Sequence, residues 1–244
     1  MHLIIELLSE KPIILPLSYN HILQGFIYRT LDDELSEFLH KKGYGTGRIF
    51  KLFACSNIIG RADTKSQSGY IIFERRVLIE ISSPIDRLCE SFANGLFKKR
   101  LVLGHNTVDV GSLTIDRQDV TSDRISVRTL SPVVAYSTLL KADGKKYTCY
   151  YQPGDPDFQR ICAENLRKKF VAFALEDPPQ EQVMIKPLTQ PILHVIRYKD
   201  IIIKGYSGEL ELSGPKPLLQ TAIDGGLGSK NSQAFGLIRL VERR

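Results

Sequence analysis

Five histidines are spread along this 244-residue chain, and one of them, His40, stands where an imidazole could act on a ligand. It closes the short amphipathic stretch "DDELSEFLHKKG" (32–43) and precedes the glycine-bearing run "KKGYGTG". An unperturbed imidazole titrates near pH 6.5, so a histidine there can take or give a proton at neutral pH. A plainer reading stands beside it, because a cation at a helix C-terminus interacts favourably with the helix dipole. His2 and His105 look incidental, and His21 sits beside the start of an early helix. His194, inside the apolar run "ILHVI", suits a partly buried, hydrogen-bonded ring.

A second stretch with chemical potential is "GGLGSKNSQAFG" (225–236), whose composition offers nothing from which to build a core. Gly225 and Gly226 suit the left-handed cap of a preceding helix. That leaves Gly228, Gly236 and the polar run "SKNSQ" to explain. Glycines let another backbone approach closely, and exposed N–H and hydroxyl groups can hold phosphate oxygens. The run is no Walker loop, and its glycines follow a helix, whereas a dinucleotide fingerprint follows a strand.

Composition narrows the classes. Net charge is +6, which permits a polyanionic partner. The basic clusters are "HKK" (40–42), "FKKR" (97–100), "LRKKF" (166–170) and "ERR" (242–244), the first three near expected helix ends, where cations are ordinary. Cys55, Cys89, Cys149 and Cys162 are dispersed without metal-ligand spacing, as free thiols in a reducing compartment would be. "DDE" (32–34) reads as a helix cap and first turn, so no acidic cluster suggests a metal, and no cofactor signature occurs. No apolar run is long enough to span a bilayer and no signal-peptide pattern opens the chain, so a cytoplasmic protein without membrane contact is expected.

The elements that must carry these residues follow from periodicity. "LIIELL" reads as a strand, then "SYNHILQGFIYRTL" (18–31) as a helix capped by Ser18, then 32–43 as a second helix capped by Asp32. Strands are expected over 48–58 and 69–82, a helix over 83–99, and mixed strands over 100–116. The second half repeats the order: extended segments 125–140 and 145–152 joined by "ADGKK", a helix over 155–176, two strands in 191–214, a helix over 215–226, and a strand over 234–242. Two βαββαβ units in tandem predict an α+β protein of two ferredoxin-like domains, residues 1–120 and 121–244, joined near 117–124.

On these residues the chain resembles the CRISPR-repeat endoribonucleases of the RAMP superfamily, which cut CRISPR precursor RNA within its repeats. Their glycine-rich loop runs approximately G-x-G-x-x-N-S-x-G-F-G. It stands here as Gly226, Gly228, Asn231, Ser232, Phe235 and Gly236, with Ala234 where glycine is usual. "PLSYNHILQGFIYRTL" and "TLSPVVAY" also match, so the resemblance spans nearly the whole chain. It implies a metal-independent nuclease with His40, in "FLH" (38–40), as general acid/base. Tyr28 on the first helix and Lys51 before "LF-x-x-S" would complete the group. The His40–Lys51 gap is lengthened by "GYGTG", so Lys42 or Arg48 could supply the cation instead.

The expected products carry a 2′,3′-cyclic phosphate and a 5′-hydroxyl. Repeat RNA is the expected partner, contacted by Gly226, Gly228, Ser229, Lys230, Asn231, Ser232 and Gln233. Homodimerisation and residence in a CRISPR effector complex stay open. The alternative within the same superfamily is an RNA-binding subunit of such a complex that does not cut.

Overall fold

The structure, a computed structural model, describes residues 1–65, 69–140 and 143–241. The terminal "ERR" cluster and the start of the "ADGKK" turn lie outside the described residues.

The N-terminal half runs β1 (His2–Leu8), β2 (Ile13–Pro16), α1 (Asn20–Thr30), α2 (Asp33–Lys41), β3 (Ala54–Cys55), β4 (Ala62–Lys65), β5 (Tyr70–Phe73), β6 (Arg76–Ser82), α3 (Asp86–Lys98), β7 (Leu101–Leu103) and β8 (Asn106–Asp116). Its main sheet has the antiparallel order β3-β6-β1-β8-β7. With β7 set aside, that is the 2-3-1-4 arrangement a βαββαβ unit produces. The C-terminal half runs β9 (Arg124–Thr129), β10 (Ala135–Leu140), β11 (Lys146–Tyr151), α4 (Pro156–Ala174), β12 (Met184–Pro187), β13 (Ile192–Tyr198), β14 (Ile201–Ser207), β15 (Glu209–Ser213), α5 (Lys216–Gly225) and β16 (Ile238–Leu240). Its sheet β12-β15-β9-β16 repeats the same 2-3-1-4 order, so the molecule is a tandem of ferredoxin-like folds. Hairpins β10–β11 and β13–β14 and the small sheet β2-β5-β4 are insertions.

Alternation along the central strands puts one face of each sheet under helices. Leu3, Ile5 and Leu7 of β1 and Val77, Ile79 and Ile81 of β6 pack with Phe26 and Phe92 of α1 and α3. In the second half, Val127, Leu210 and Leu212 pack with Phe158, Leu166, Leu218 and Leu219. Among the described residues no helix is long and apolar enough to cross a membrane.

Several expectations need correction. Of the strand expected over 48–58, only Ala54–Cys55 forms a strand, with Phe50 in an isolated bridge to Tyr44. The preceding stretch is irregular because it is held from outside: Ser83 Oγ donates to the Leu52 carbonyl (2.7 Å), and Leu52 takes φ +52°. The 69–82 stretch divides between two sheets, and 191–214 makes three strands, broken again at Gly208 (φ +150°). Strands β2, β4 and β12 were not expected. Tyr19, not Ser18, occupies the cap position of α1, without a side-chain cap. Nor is His2 incidental: it is fully buried, its Nδ1 2.8 Å from Glu80 Oε1.

Candidate functional site

Helix α2 is short and needs its ends fixed to hold His40 in one place. At the N-terminus the Leu35 N–H donates to Asp32 Oδ1 (2.8 Å), as the sequence predicts. The Ser91 hydroxyl donates to Asp32 Oδ2 (2.5 Å), and the Asp32 N–H donates back to it (2.9 Å), tying the cap to α3. These bonds, the Ser91 one foremost, hold the Asp32 carboxyl below its ordinary pKa. Leu35 and Leu39 bury one face against the core, which turns His40 to the solvent. His40 lines a shallow groove of about 320 Å³ with Asp33, Ser36, Glu37 and Lys41.

At the C-terminus Lys42 holds the cap position, its N–H donating to the Phe38 carbonyl (2.8 Å), and the Lys51 side chain caps from outside. Its ammonium donates to the carbonyls of Leu39 and of His40 itself, the latter at 3.5 Å. The lengthened 42–50 loop therefore does not part the two residues. Gly43 (φ +74°) reverses the chain and Tyr44 pairs with Phe50, returning Lys51 to the helix end. Partial burial lowers the Lys51 pKa. Tyr28 is half-buried, its ring edge-on to Phe53 with centroids 6.0 Å apart. Burial, with the neighbouring Tyr198 adding to it, raises its pKa to about 12.

The glycine-rich loop is packed, contrary to the expectation that it could not contribute to a core. Leu227, Phe235 and Leu237 are fully buried, and Gly226, Gly228, Ser229 and Asn231 are buried with them. Space at its glycines is filled by protein: a Cβ at Gly236 would lie 2.0 Å from the Leu227 carbonyl oxygen, and one at Gly228 would lie 2.6 Å from that of Val134. Gly225 is the last helical residue of α5, and Gly226 caps it at φ +75° and ψ 159°, a positive φ but not the left-handed helical cap expected. Ala234 takes φ +61°, the conformation that the usual glycine would adopt without strain.

Asn231 is committed inside the loop, donating to Leu227 O (3.0 Å) and Phe235 O (3.1 Å). Asn20 at the start of α1 donates to the carbonyls of Gln233 (3.1 Å) and Ala234 (3.2 Å), joining the loop to the N-terminal half. Lys230, Ser232 and Gln233 are half-exposed, with the Lys230 ammonium 5.3 Å from the Tyr136 ring centroid.

Beneath the loop lies a residue of the basic cluster "LRKKF" (166–170), read from the sequence as cations near a helix end. Lys169 of α4 is only 2% exposed. Its ammonium donates to the carbonyls of Gly225 (3.1 Å), Gly226 (2.6 Å) and Gly228 (3.3 Å) and to Asn231 Oδ1 (2.6 Å). The signal was present: Cys162, Leu166, Lys169 and Phe170 recur at helical spacing on the buried face of α4. Arg48 Nη2 donates to Ser229 Oγ (3.2 Å), and its guanidinium carbon stands 5.4 Å from the Phe50 ring centroid. So the segment 48–51 touches the loop at one end and His40 at the other. Three residue steps span at most about 11 Å. A cleft of about 1040 Å³ opens beside Arg48, lined by Gly45, Phe50, Arg167, Lys168 and Ala172 among others.

Among the described residues no group of three His, Cys, Asp or Glu side chains is placed to hold a metal ion. His194, as expected, is half-buried and bonded, its Nε2 2.7 Å from Ser207 Oγ.

With this geometry in hand, comparison with known proteins places the chain. Over 249 residues, 99% of this chain and 93% of the relative, it is 24% identical to CRISPR-associated endoribonuclease Cas6 1 of Methanocaldococcus jannaschii. A solved structure described as a Cas6-related gene product from Pyrococcus furiosus superposes with a TM-score of 0.86 at 19% identity, covering 100% of this chain and 99% of that one. Another, described as an RAMP protein binding different RNA substrates, superposes with a TM-score of 0.84 at 20% identity, covering 99% and 100%. Residues 115–240, more than half of the chain, match the family described as "CRISPR associated protein Cas6, C-terminal", and the chain belongs to that family.

Proposed function

We propose that this chain is an endoribonuclease that cuts CRISPR precursor RNA within its repeats, without a metal, by attack of a ribose 2′-hydroxyl on the adjacent phosphate. The 2′-oxygen bonds to phosphorus, the bond from phosphorus to the 5′-oxygen breaks, and His40 carries the proton transfer. The products are a 2′,3′-cyclic phosphate and a 5′-hydroxyl. One observation carries the reading. An exposed imidazole at the end of α2 shares its last turn with a lysine ammonium, on a segment that also contacts the glycine-rich loop.

In this reading Tyr28, with its pKa near 12, stays protonated at neutral pH and orients the phosphate as a hydrogen-bond donor. Lys51 supplies positive charge where the phosphorane gathers negative charge. Lys230, Ser232 and Gln233, at the loop surface, contact RNA directly. Gly226, Gly228, Ser229 and Asn231 support that contact from within the loop. The test is incubation with the host's own repeat RNA in excess EDTA, followed by end-group analysis. Full cleavage to cyclic-phosphate ends is expected, and loss of cleavage on chelation contradicts the metal-free mechanism.

A second reading, an RNA-binding RAMP subunit that does not cut, draws on Lys51 already being engaged by two α2 carbonyls. Tight RNA binding by the wild type with no product under any condition supports it.

A further inference from the structure

Arg48 is exposed yet held, and the groups that hold it are buried. Besides Ser229 Oγ and the Phe50 ring, its guanidinium faces the amide of Asn165, which is 1% exposed. Oriented as its surroundings require, the Asn165 amide accepts from Arg48 at 3.1 and 3.3 Å and donates to the Gly228 carbonyl at 3.2 Å. One helical turn further along α4, Lys169 gathers three loop carbonyls and Asn231 Oδ1. Asn165 and Lys169 thus clamp the same loop from below, and Asn165 passes that fixity to Arg48.

The electrostatics are unbalanced. Among the described residues no carboxylate pairs with Arg48 or with Lys169. Burial lowers the Lys169 pKa to about 7, the Cys162 thiol opposing this and the charge of Arg48 adding to it. Two like charges so placed repel each other, and an anion at Arg48 relieves the repulsion while reaching a guanidinium already fixed in place. The 1040 Å³ cleft, with Arg167 and Lys168 on its wall and also Glu164, Glu176 and Asp177, leaves that face open to a ligand.

We infer that Arg48 is a phosphate-binding residue for RNA, positioned by the buried pair Asn165 and Lys169 through the glycine-rich loop. The inference rests on the reading that this chain binds repeat RNA, and it adds a contact and two positioning residues to that reading.

The test is binding of a repeat RNA carrying a 2′-deoxy nucleotide at the cleavage position, measured over a range of salt concentrations. Arg48→Ala should raise Kd about tenfold and reduce the salt slope by about 0.7, the value of one phosphate contact on a single strand. Asn165→Ala, which removes no charge, should reproduce much of both effects. The double variant should be no weaker than Arg48→Ala alone, since the two act as one unit. Lys169→Met should quicken amide hydrogen exchange in 225–236 and weaken binding. If that variant does not fold, the Arg48–Asn165 cycle decides by itself. Wild-type affinity and slope in Asn165→Ala, or fully additive losses in the double variant, overturn the inference. Failure of the wild type to bind this RNA strikes the RNA reading instead, so the two failures are distinguishable.

Discussion

The ammonium of Lys51 is hydrogen-bonded to the backbone carbonyl of His40, 3.5 Å away, across a loop of ten intervening residues. Together with its bond to the Leu39 carbonyl, this makes the Lys51 side chain a C-terminal cap, from outside, of the helix that carries the imidazole. In the proposed mechanism this sets the Lys51 charge on the last turn of the helix that carries His40.

Lys51→Met separates the two uses of that charge. Losing a cation at a helix C-terminus costs about 0.3–1 kcal/mol, a Tm decrease of roughly 1–4 °C for a chain of this size. Losing a phosphorane-stabilising group costs about 10²-fold in single-turnover cleavage. We predict both, measured by thermal unfolding and by cleavage at saturating enzyme. A wild-type rate with lowered Tm assigns Lys51 to capping alone and returns the cation role to Lys42 or Arg48.

The glycine-rich loop offers a sharp contrast between neighbours. Gly236→Ala sets a Cβ 2.0 Å from the Leu227 carbonyl oxygen at φ +70°, combining left-handed strain with overpacking, so a loss of about 2–4 kcal/mol is expected. A Cβ at Gly225 meets nothing nearer than 3.8 Å, so Gly225→Ala should be neutral or gain about 0.5 kcal/mol. Denaturant unfolding of both variants is the measurement. Equal effects contradict the packed loop.

How much of this was legible beforehand depended on how local each cause is. Asp32, its capping bond to Leu35 and the helix ending near Gly43 lie within twelve residues, and the sequence predicts them. The repeated βαββαβ order was legible too, because each helix and most strands carry their own periodicity. The course of 48–53 was not, since besides the nearby end of α2 it is fixed by Ser83 and Ser229, both remote in sequence. Strands β2 and β12 are four-residue segments whose pairing partners are likewise distant, whereas β4, equally short, pairs with the adjacent β5. Lys169 was hidden by its type, because an adjacent pair of lysines reads as solvated surface until a helix face buries one of them.

Lys169 also gives stability a pH signature. Its folded pKa, near 7, lies below the ordinary lysine value near 10.5, so between those limits the unfolded chain binds more protons. Stability should therefore rise with pH across that window, because the folded chain has already released a proton that the unfolded chain still holds, and Lys169→Met should lack this component. The groups identified as facing the ammonium are Cys162 on its own helix and Arg48 from the 48–51 segment, alongside the uncharged loop oxygens. Urea unfolding at several pH values from 7 to 10 measures the slope. An identical pH dependence in the two proteins contradicts this placement of the charge.

The account turns on His40. Single-turnover cleavage of the host's repeat RNA by wild type and His40→Ala, with end-group analysis of the products, tests it most directly. The account predicts 2′,3′-cyclic phosphate and 5′-hydroxyl ends from the wild type, and a rate lower by about 10²–10⁴-fold in His40→Ala with RNA affinity retained. Wild-type cleavage by His40→Ala, or products bearing a 5′-phosphate, would contradict it.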